Sequence, residues 1–170
     1  MLYIVIILIA LYLYCIRGRR GNAAMAELRK WKYAHRGLHD DKLPENSMGA
    51  FRAALENGYG IELDIHLLAD GNLAVIHDSA LVRTTGAEGI VEDLTTEDLC
   101  KYHLEGTGET IPTFREVLDL YEGKAPLIVE LKPVKGNHAE LTAKAVEMLD
   151  NWNGLYCLES FDPRCIYWLK

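Results

Sequence analysis

The chain has 170 residues, of which 49% are hydrophobic and 25% charged, with a formal net charge of −7. This excludes a disordered tail, a collagen-like repeat and a disulfide-packed miniprotein, and it fits one folded domain. Residues 1–32 hold six basic side chains against Glu27 alone, a net of +5, so residues 33–170 carry −12. An acidic body excludes nucleic-acid binding by electrostatic attraction, and an acidic domain that handles phosphates needs a metal.

Residues 1–16, MLYIVIILIALYLYCI, contain no charged side chain, and Arg17, Arg19 and Arg20 follow at once. A cleaved signal peptide carries its positive charge before the apolar run, whereas here it comes after. The order predicts a transmembrane anchor at 1–16 and a basic juxtamembrane linker at 17–32. Sixteen helical residues reach about 24 Å against a hydrocarbon core of roughly 30 Å, so such an anchor depends on Tyr3, Tyr12, Tyr14 and the arginines at the interfaces. The positive-inside rule then predicts a single-pass membrane protein with its domain on the cytoplasmic side. The alternative is a buried N-terminal helix, which a domain this small has difficulty covering on all sides. Cys15, Cys100, Cys157 and Cys165 form no CxxC pair and read as reduced thiols of an intracellular protein.

Beyond residue 32 the chain alternates short β-branched runs with helical patterns, which predicts an α/β domain. Expected strands cover 32–35, 60–67, 73–77, 126–132 and 155–160, with helices between them. The helix over 47–57 ends at Gly58, and Thr95 with Asp98 and Thr113 with Glu116 have the spacing of helix starts. Asp70-Gly71 predicts a hairpin that makes strands 60–67 and 73–77 antiparallel. A two-residue turn centred on 70 and 71 would put His77 opposite Asp64 on one face.

Alternation also exposes the chemistry. In Ile61-Glu62-Leu63-Asp64-Ile65-His66-Leu67, the aliphatic residues take one face and Glu62, Asp64 and His66 the other. The run Leu127–Lys132 repeats this, with Ile128, Glu130 and Lys132 on one face. Unpaired buried carboxylates cost several kcal/mol each, so these acids must find cations, hydrogen bonds or protons, and a divalent ion with oxygen ligands serves all three. His35, Arg36, Glu45, Asn46, His77 and Asp78 stand at the neighbouring strand ends. Two histidines suit acid and base roles, while Arg36 and Lys132 suit an anionic phosphate. Taken singly, each has an ordinary structural explanation: Asp78 as a turn cap, Glu45-Asn46 as a helix start. His39, His66, His103 and His138 are left without a role.

The ordered segments Ala34-His35-Arg36-Gly37, Pro44-Glu45-Asn46-Ser47, Ile61-Glu62-Leu63-Asp64, Asp70-Gly71, His77-Asp78, Arg83-Thr84-Thr85-Gly86, Ile111-Pro112-Thr113, Glu130-Leu131-Lys132 and Ser160-Phe161 resemble the motifs of glycerophosphodiester phosphodiesterases. The resemblance implies a TIM-barrel-like fold with its site at the C-terminal mouth of the strands. It further implies a Ca²⁺ or Mg²⁺ ion and hydrolysis of glycerophosphodiesters to an alcohol and glycerol 3-phosphate. By the same resemblance His35 and His77 match an acid–base pair, Glu62, Asp64 and Glu130 metal ligands, Arg36 and Lys132 phosphate contacts, and Glu45 an additional acid.

A complete barrel of this kind needs roughly 250 residues, so residues 33–170 are expected to form its N-terminal part, incomplete at the C-terminus. Closure would come from further chain, self-association or a partner. Two other readings stand beside the first: a lysophospholipid-directed phosphodiesterase, suggested by an anchor beside lipid, and a non-catalytic membrane-bound half barrel.

Overall fold

A computed structural model describes residues 2–16 and 23–169. The chain opens with α1 (Leu2–Ile16) and a short α2 (Ala23–Leu28). The linker expected at 17–32 falls partly on residues 17–22, outside the described residues. There follow β1 (Tyr33–His35), α3 (Met48–Glu56), β2 (Gly60–Leu67), β3 (Leu73–Val75) and α4 (Val82–Thr85). After three short 3-10 turns come α5 (Phe114–Tyr121), β4 (Leu127–Leu131), α6 (His138–Asp150), β5 (Tyr156–Glu159) and α7 (Pro163–Trp168).

The strands form one sheet in the order β1-β2-β4-β5, all parallel, with β3 antiparallel against β2. Parallel neighbours require crossover connections, and α3, α5 and α6 supply them. The caps explain where two of these helices begin. Ser47 accepts the Ala50 N–H at 3.1 Å ahead of α3, and Thr113 with Glu116 forms a reciprocal capping box ahead of α5. Thr95 with Asp98 forms the same box, but the segment it opens, Thr96–Lys101, is a 3-10 turn.

Every residue of β2 is buried, and its two faces differ in kind. Ile61, Leu63 and Ile65 join Phe51, Phe114, Leu118, Tyr121, Leu127, Val129 and Leu141 in the main core between sheet and helices. A second cluster, including Ile76, Leu81, Val91, Leu99 and Leu104, lies under the excursion between β3 and α5. Glu62, Asp64 and His66 occupy the opposite face of β2, as the period of two predicts.

Two expectations are corrected. The hairpin register is set by Leu67 opposite Leu73 and Ile65 opposite Val75, with the Leu68 N–H donating to the Asn72 carbonyl at 2.9 Å. The loop therefore has three residues, 69–71, and Gly71 takes the left-handed position (φ +80°) at its end. This shifts the pairing by one residue. The Ile76 N–H, not that of His77, meets the Asp64 carbonyl, at 3.1 Å, and His77 lies beyond the end of β3.

The other correction concerns the N-terminus. α1 has 15 residues, about 22 Å of helix, and among the described residues no helix is long and apolar enough to cross a membrane. The single-pass anchor at 1–16 and the cytoplasmic placement derived from it are set aside. α1 instead rests against α7, with the Tyr12 hydroxyl donating to the Phe161 carbonyl at 3.1 Å. Cys100, Cys157 and Cys165 are free thiols.

Candidate active site

The C-terminal ends of β1, β2, β4 and β5 bring the site together. The Arg36 N–H donates to the Glu62 carbonyl at 2.9 Å, extending the ladder of β1 on β2, and the Lys132 N–H donates to Ile65 at 3.1 Å, extending β4 on β2. These bonds place Arg36 and Lys132 beside the acids of β2. Arg36 and Asn46 both adopt left-handed backbone, φ +54° and +55°, and the Asn46 N–H donates to the Arg36 carbonyl at 2.9 Å. Such conformations cost roughly 1–3 kcal/mol each in a non-glycine residue and persist where the surroundings over-determine them, typically at functional sites. Gly37 follows at φ +84°, where an added Cβ would come within 2.8 Å of the Ala50 Cβ. The backbone turn at His35-Arg36-Gly37 thus fits only glycine against α3.

Asp64 is almost fully buried and surrounded by donors. Lys132 Nζ lies 3.1 Å from Oδ1, Asn46 Nδ2 donates to Oδ2 at 3.0 Å, and Arg36 Nε lies 3.4 Å from Oδ2. Lys132 Nζ also reaches Glu130 Oε1 at 2.8 Å. Burial opposes the charge of Lys132, but its pairing with Glu130 and Asp64 prevails and raises its pKa above the ordinary lysine value. Glu45 receives Arg36 Nη1 at 3.1 and 3.2 Å and Arg83 Nη2 at 2.5 Å. These cations outweigh burial and hold its carboxyl below the usual range.

Glu62 is in a different position. Its Oε2 accepts the Arg36 N–H at 3.2 Å and lies 3.6 Å from His35 Nε2, while Oε1 is buried without a hydrogen-bond partner among the described residues. Burial above all, then repulsion from Asp64, Glu130 and Glu159, pushes its carboxyl up to about 7. Glu159 is raised by burial and by repulsion from Glu130 and Asp64. Each of Glu62, Glu130 and Glu159 offers an oxygen within 4.8 Å of the others. An orphaned buried carboxylate oxygen among mutually repelling acids suits a hard divalent cation, which takes oxygen ligands. Asp64, an expected ligand, sits beside Glu130 with Lys132, Asn46 and Arg36 around it, and its Oδ1, like Glu62 Oε1, is buried without a hydrogen bond among the described residues. Glu159 has no counterpart in the sequence reading. Its signal is the register, which sets it beside Glu130 and Glu130 beside Asp64 on consecutive strands.

His77 lies beyond the end of β3, its Nδ1 2.6 Å from Asp78 Oδ1. Arg83 Nε donates to the other Asp78 oxygen. Together with the Arg83–Glu45 contact, this links His77 to the Arg36 side. His66, left without a role by its sequence, is buried in a polar pair. Its Nδ1 lies 2.5 Å from Glu92 Oε1 and its Nε2 3.1 Å from the His77 carbonyl, while Ser79 Oγ donates to Glu92 Oε2 at 2.6 Å. A cavity of about 620 Å³ opens alongside, lined by residues that include Glu130, Lys132, Ser160, Phe161 and Arg164.

The model of the glycerophosphoryl diester phosphodiesterase family matches residues 35–168. A glycerophosphodiester phosphodiesterase from Caldanaerobacter subterraneus subsp. tengcongensis is 40% identical over 129 residues, 71% of this chain and 52% of its own length. One from Bacillus altitudinis is 39% identical over the same shares. The chain thus spans about half the length of these relatives. Among solved structures, an Oleispira antarctica phosphodiesterase in complex with the product sn-glycerol-3-phosphate has a TM-score of 0.78 at 29% identity, covering 86% of this chain and 63% of that one. A glycerophosphodiester phosphodiesterase from Thermotoga maritima has a TM-score of 0.67 at 30% identity, covering 79% and 55%. The parallel sheet with its crossover helices is accordingly TIM-barrel-like. In sequence and in fold, this chain belongs to the glycerophosphoryl diester phosphodiesterase family.

Proposed function

We propose that this chain carries the active-site residues of a metal-dependent phosphodiesterase that hydrolyses glycerophosphodiesters to an alcohol and glycerol 3-phosphate. The observation that carries this reading is the convergence, in the family's motif order, of His35, Arg36, Glu45, Glu62, Asp64, Glu130 and Lys132 at one mouth, with His77 joined to it through Asp78 and Arg83. The names of the relatives and the product held by the Oleispira antarctica enzyme support the substrate class.

Arg36 and Lys132 are placed to bind the phosphate, each exchanging part of its present pairing with carboxylates for phosphate oxygens. His77, with Nδ1 engaged by Asp78, offers Nε2 for proton transfer, and His35 beside Glu62 offers the second acid–base group. Acids outnumber cations at the mouth, so a phosphodiester anion is repelled until a cation balances them. Ca²⁺ or Mg²⁺ would supply that positive charge and stabilise charge developing on the phosphoryl oxygens. Motif and geometry both support Glu62 and Glu130 as the residues that would hold the ion, with Asp64 from the motif and Glu159 from the geometry as candidates for a third ligand. Ion binding measured by calorimetry on Asp64→Asn and Glu159→Gln separates the two. The lysophospholipid-directed reading loses its ground with the shortness of α1.

The test of function is substitution. His35→Ala and His77→Ala should each lower turnover of glycerophosphocholine by about 10²–10⁴-fold with the fold intact by circular dichroism. Unimpaired turnover in both would overturn the assignment.

A further inference from the structure

We propose that Arg83 is the positioning residue for His77, acting through Asp78 and tying that histidine to the Arg36 side of the mouth through Glu45. This rests on the reading that His77 takes part in proton transfer.

His77 lies beyond the end of β3, and the carboxylate on its ring belongs to the next residue of the same loop. Asp78 is partly exposed, so nothing in its own backbone stops that carboxylate from turning to water. Arg83 does stop it. Its Nε donates to Asp78 Oδ2 while Oδ1 accepts from His77 Nδ1, and its Nη2 reaches Glu45 Oε1 at 2.5 Å. Glu45 in turn holds Arg36 Nη1 through both oxygens. Charges alternate from Arg36 to Glu45, Arg83 and Asp78, ending on the imidazole, and the run joins the loop after β1 to the loop after β3.

Only a planar fork can span two carboxylates in this way. The guanidinium presents N–H groups in fixed, diverging directions, whereas a lysine offers one compact charge. The base of the side chain is anchored as well: α4 is held by the Thr85 N–H on the Leu81 carbonyl at 2.9 Å, with Leu81 and Thr84 buried. Asp78, kept below the ordinary carboxylate range because Arg83 and His77 outweigh burial, remains an acceptor and fixes the His77 proton on Nδ1. Nε2 is then left free in one orientation. The Arg83-Thr84-Thr85-Gly86 segment, quoted above as a motif without a role, acquires one.

The experiment compares the 170-residue chain with Arg83→Ala, Arg83→Lys and His77→Ala. One readout is the ring ¹H–¹⁵N spectrum, in which His77→Ala identifies the Nδ1–H signal of His77. The other is the kinetics of glycerophosphocholine hydrolysis. Both Arg83 variants should lose or broaden the Nδ1–H signal and lower kcat by about 10–100-fold, with KM moving less than about threefold. Guanidinium ion added to Arg83→Ala should restore part of both, since the site is half-exposed. A signal that persists in Arg83→Ala overturns the inference, whether or not the chain turns over. Full recovery by Arg83→Lys also overturns it, because charge alone would then suffice. If His77→Ala leaves turnover untouched, the functional reading has failed instead.

Discussion

Replacing Glu62 by Gln is expected to stabilise the metal-free chain, in a manner set by pH. Burial, then Asp64, and also Glu130 and Glu159, push the Glu62 carboxyl from its ordinary 4.5 up to about 7. A displacement of about 2.5 pH units corresponds to roughly 3 kcal/mol. Water reaches the mouth on the exposed His35 side, so the working value is reduced to about 1–2 kcal/mol. The folded-state pKa lies above the unfolded one, so the acid's contribution is fully present below about 4.5 and is lost as the pH rises through about 7. Glutamine, neutral throughout, escapes that loss. In EDTA at pH 8 the variant should melt about 2–8 °C above the parent, given about 2–4 °C per kcal/mol for this size, and the two should converge near pH 4.5. Adding Ca²⁺ or Mg²⁺ at pH 8 should raise the melting temperature of the parent more than that of the variant. Coincident melts at pH 8, or a gain that does not depend on pH, would refute the reasoning.

Glu92→Ala strips the partner from buried His66 and the acceptor from Ser79, and should cost about 3–5 kcal/mol in urea unfolding; a loss below about 1 kcal/mol would show that the pair contributes little. Gly37→Ala must fit a Cβ within 2.8 Å of the Ala50 Cβ at φ +84°. It should destabilise by about 1–3 kcal/mol, and an unchanged denaturation midpoint would contradict the close approach of the turn to α3.

The parts of the fold that could be read from the sequence are those set by local periodicity. The alternation of Ile61, Leu63 and Ile65 with Glu62, Asp64 and His66 fixes which face of β2 meets the helices, and Ser47 and Thr113 mark the starts of α3 and α5. The hairpin misled because Asp70-Gly71 suits two turns. A two-residue turn and a three-residue loop ending in a left-handed glycine share the motif. The choice goes with contacts made far along the chain: Asp70 accepts from the Thr96 N–H at 2.8 Å. Glu159 and Arg83 were hidden for a similar reason. One depends on β5 pairing with β4, the other on carboxylates 5 and 38 residues away. The apolar N-terminus lay close to the length at which a span becomes possible, and α1, with 15 residues about one and a half turns of helix short of the hydrocarbon core, falls below it.

The central claim is hydrolysis of a glycerophosphodiester at this mouth. The most direct measurement is release of glycerol 3-phosphate from glycerophosphocholine by the folded chain, with Ca²⁺ or Mg²⁺ and with EDTA. The account predicts release that requires the ion and disappears in His77→Ala. Absence of release with either ion, or release indifferent to EDTA and to His77→Ala, would contradict it.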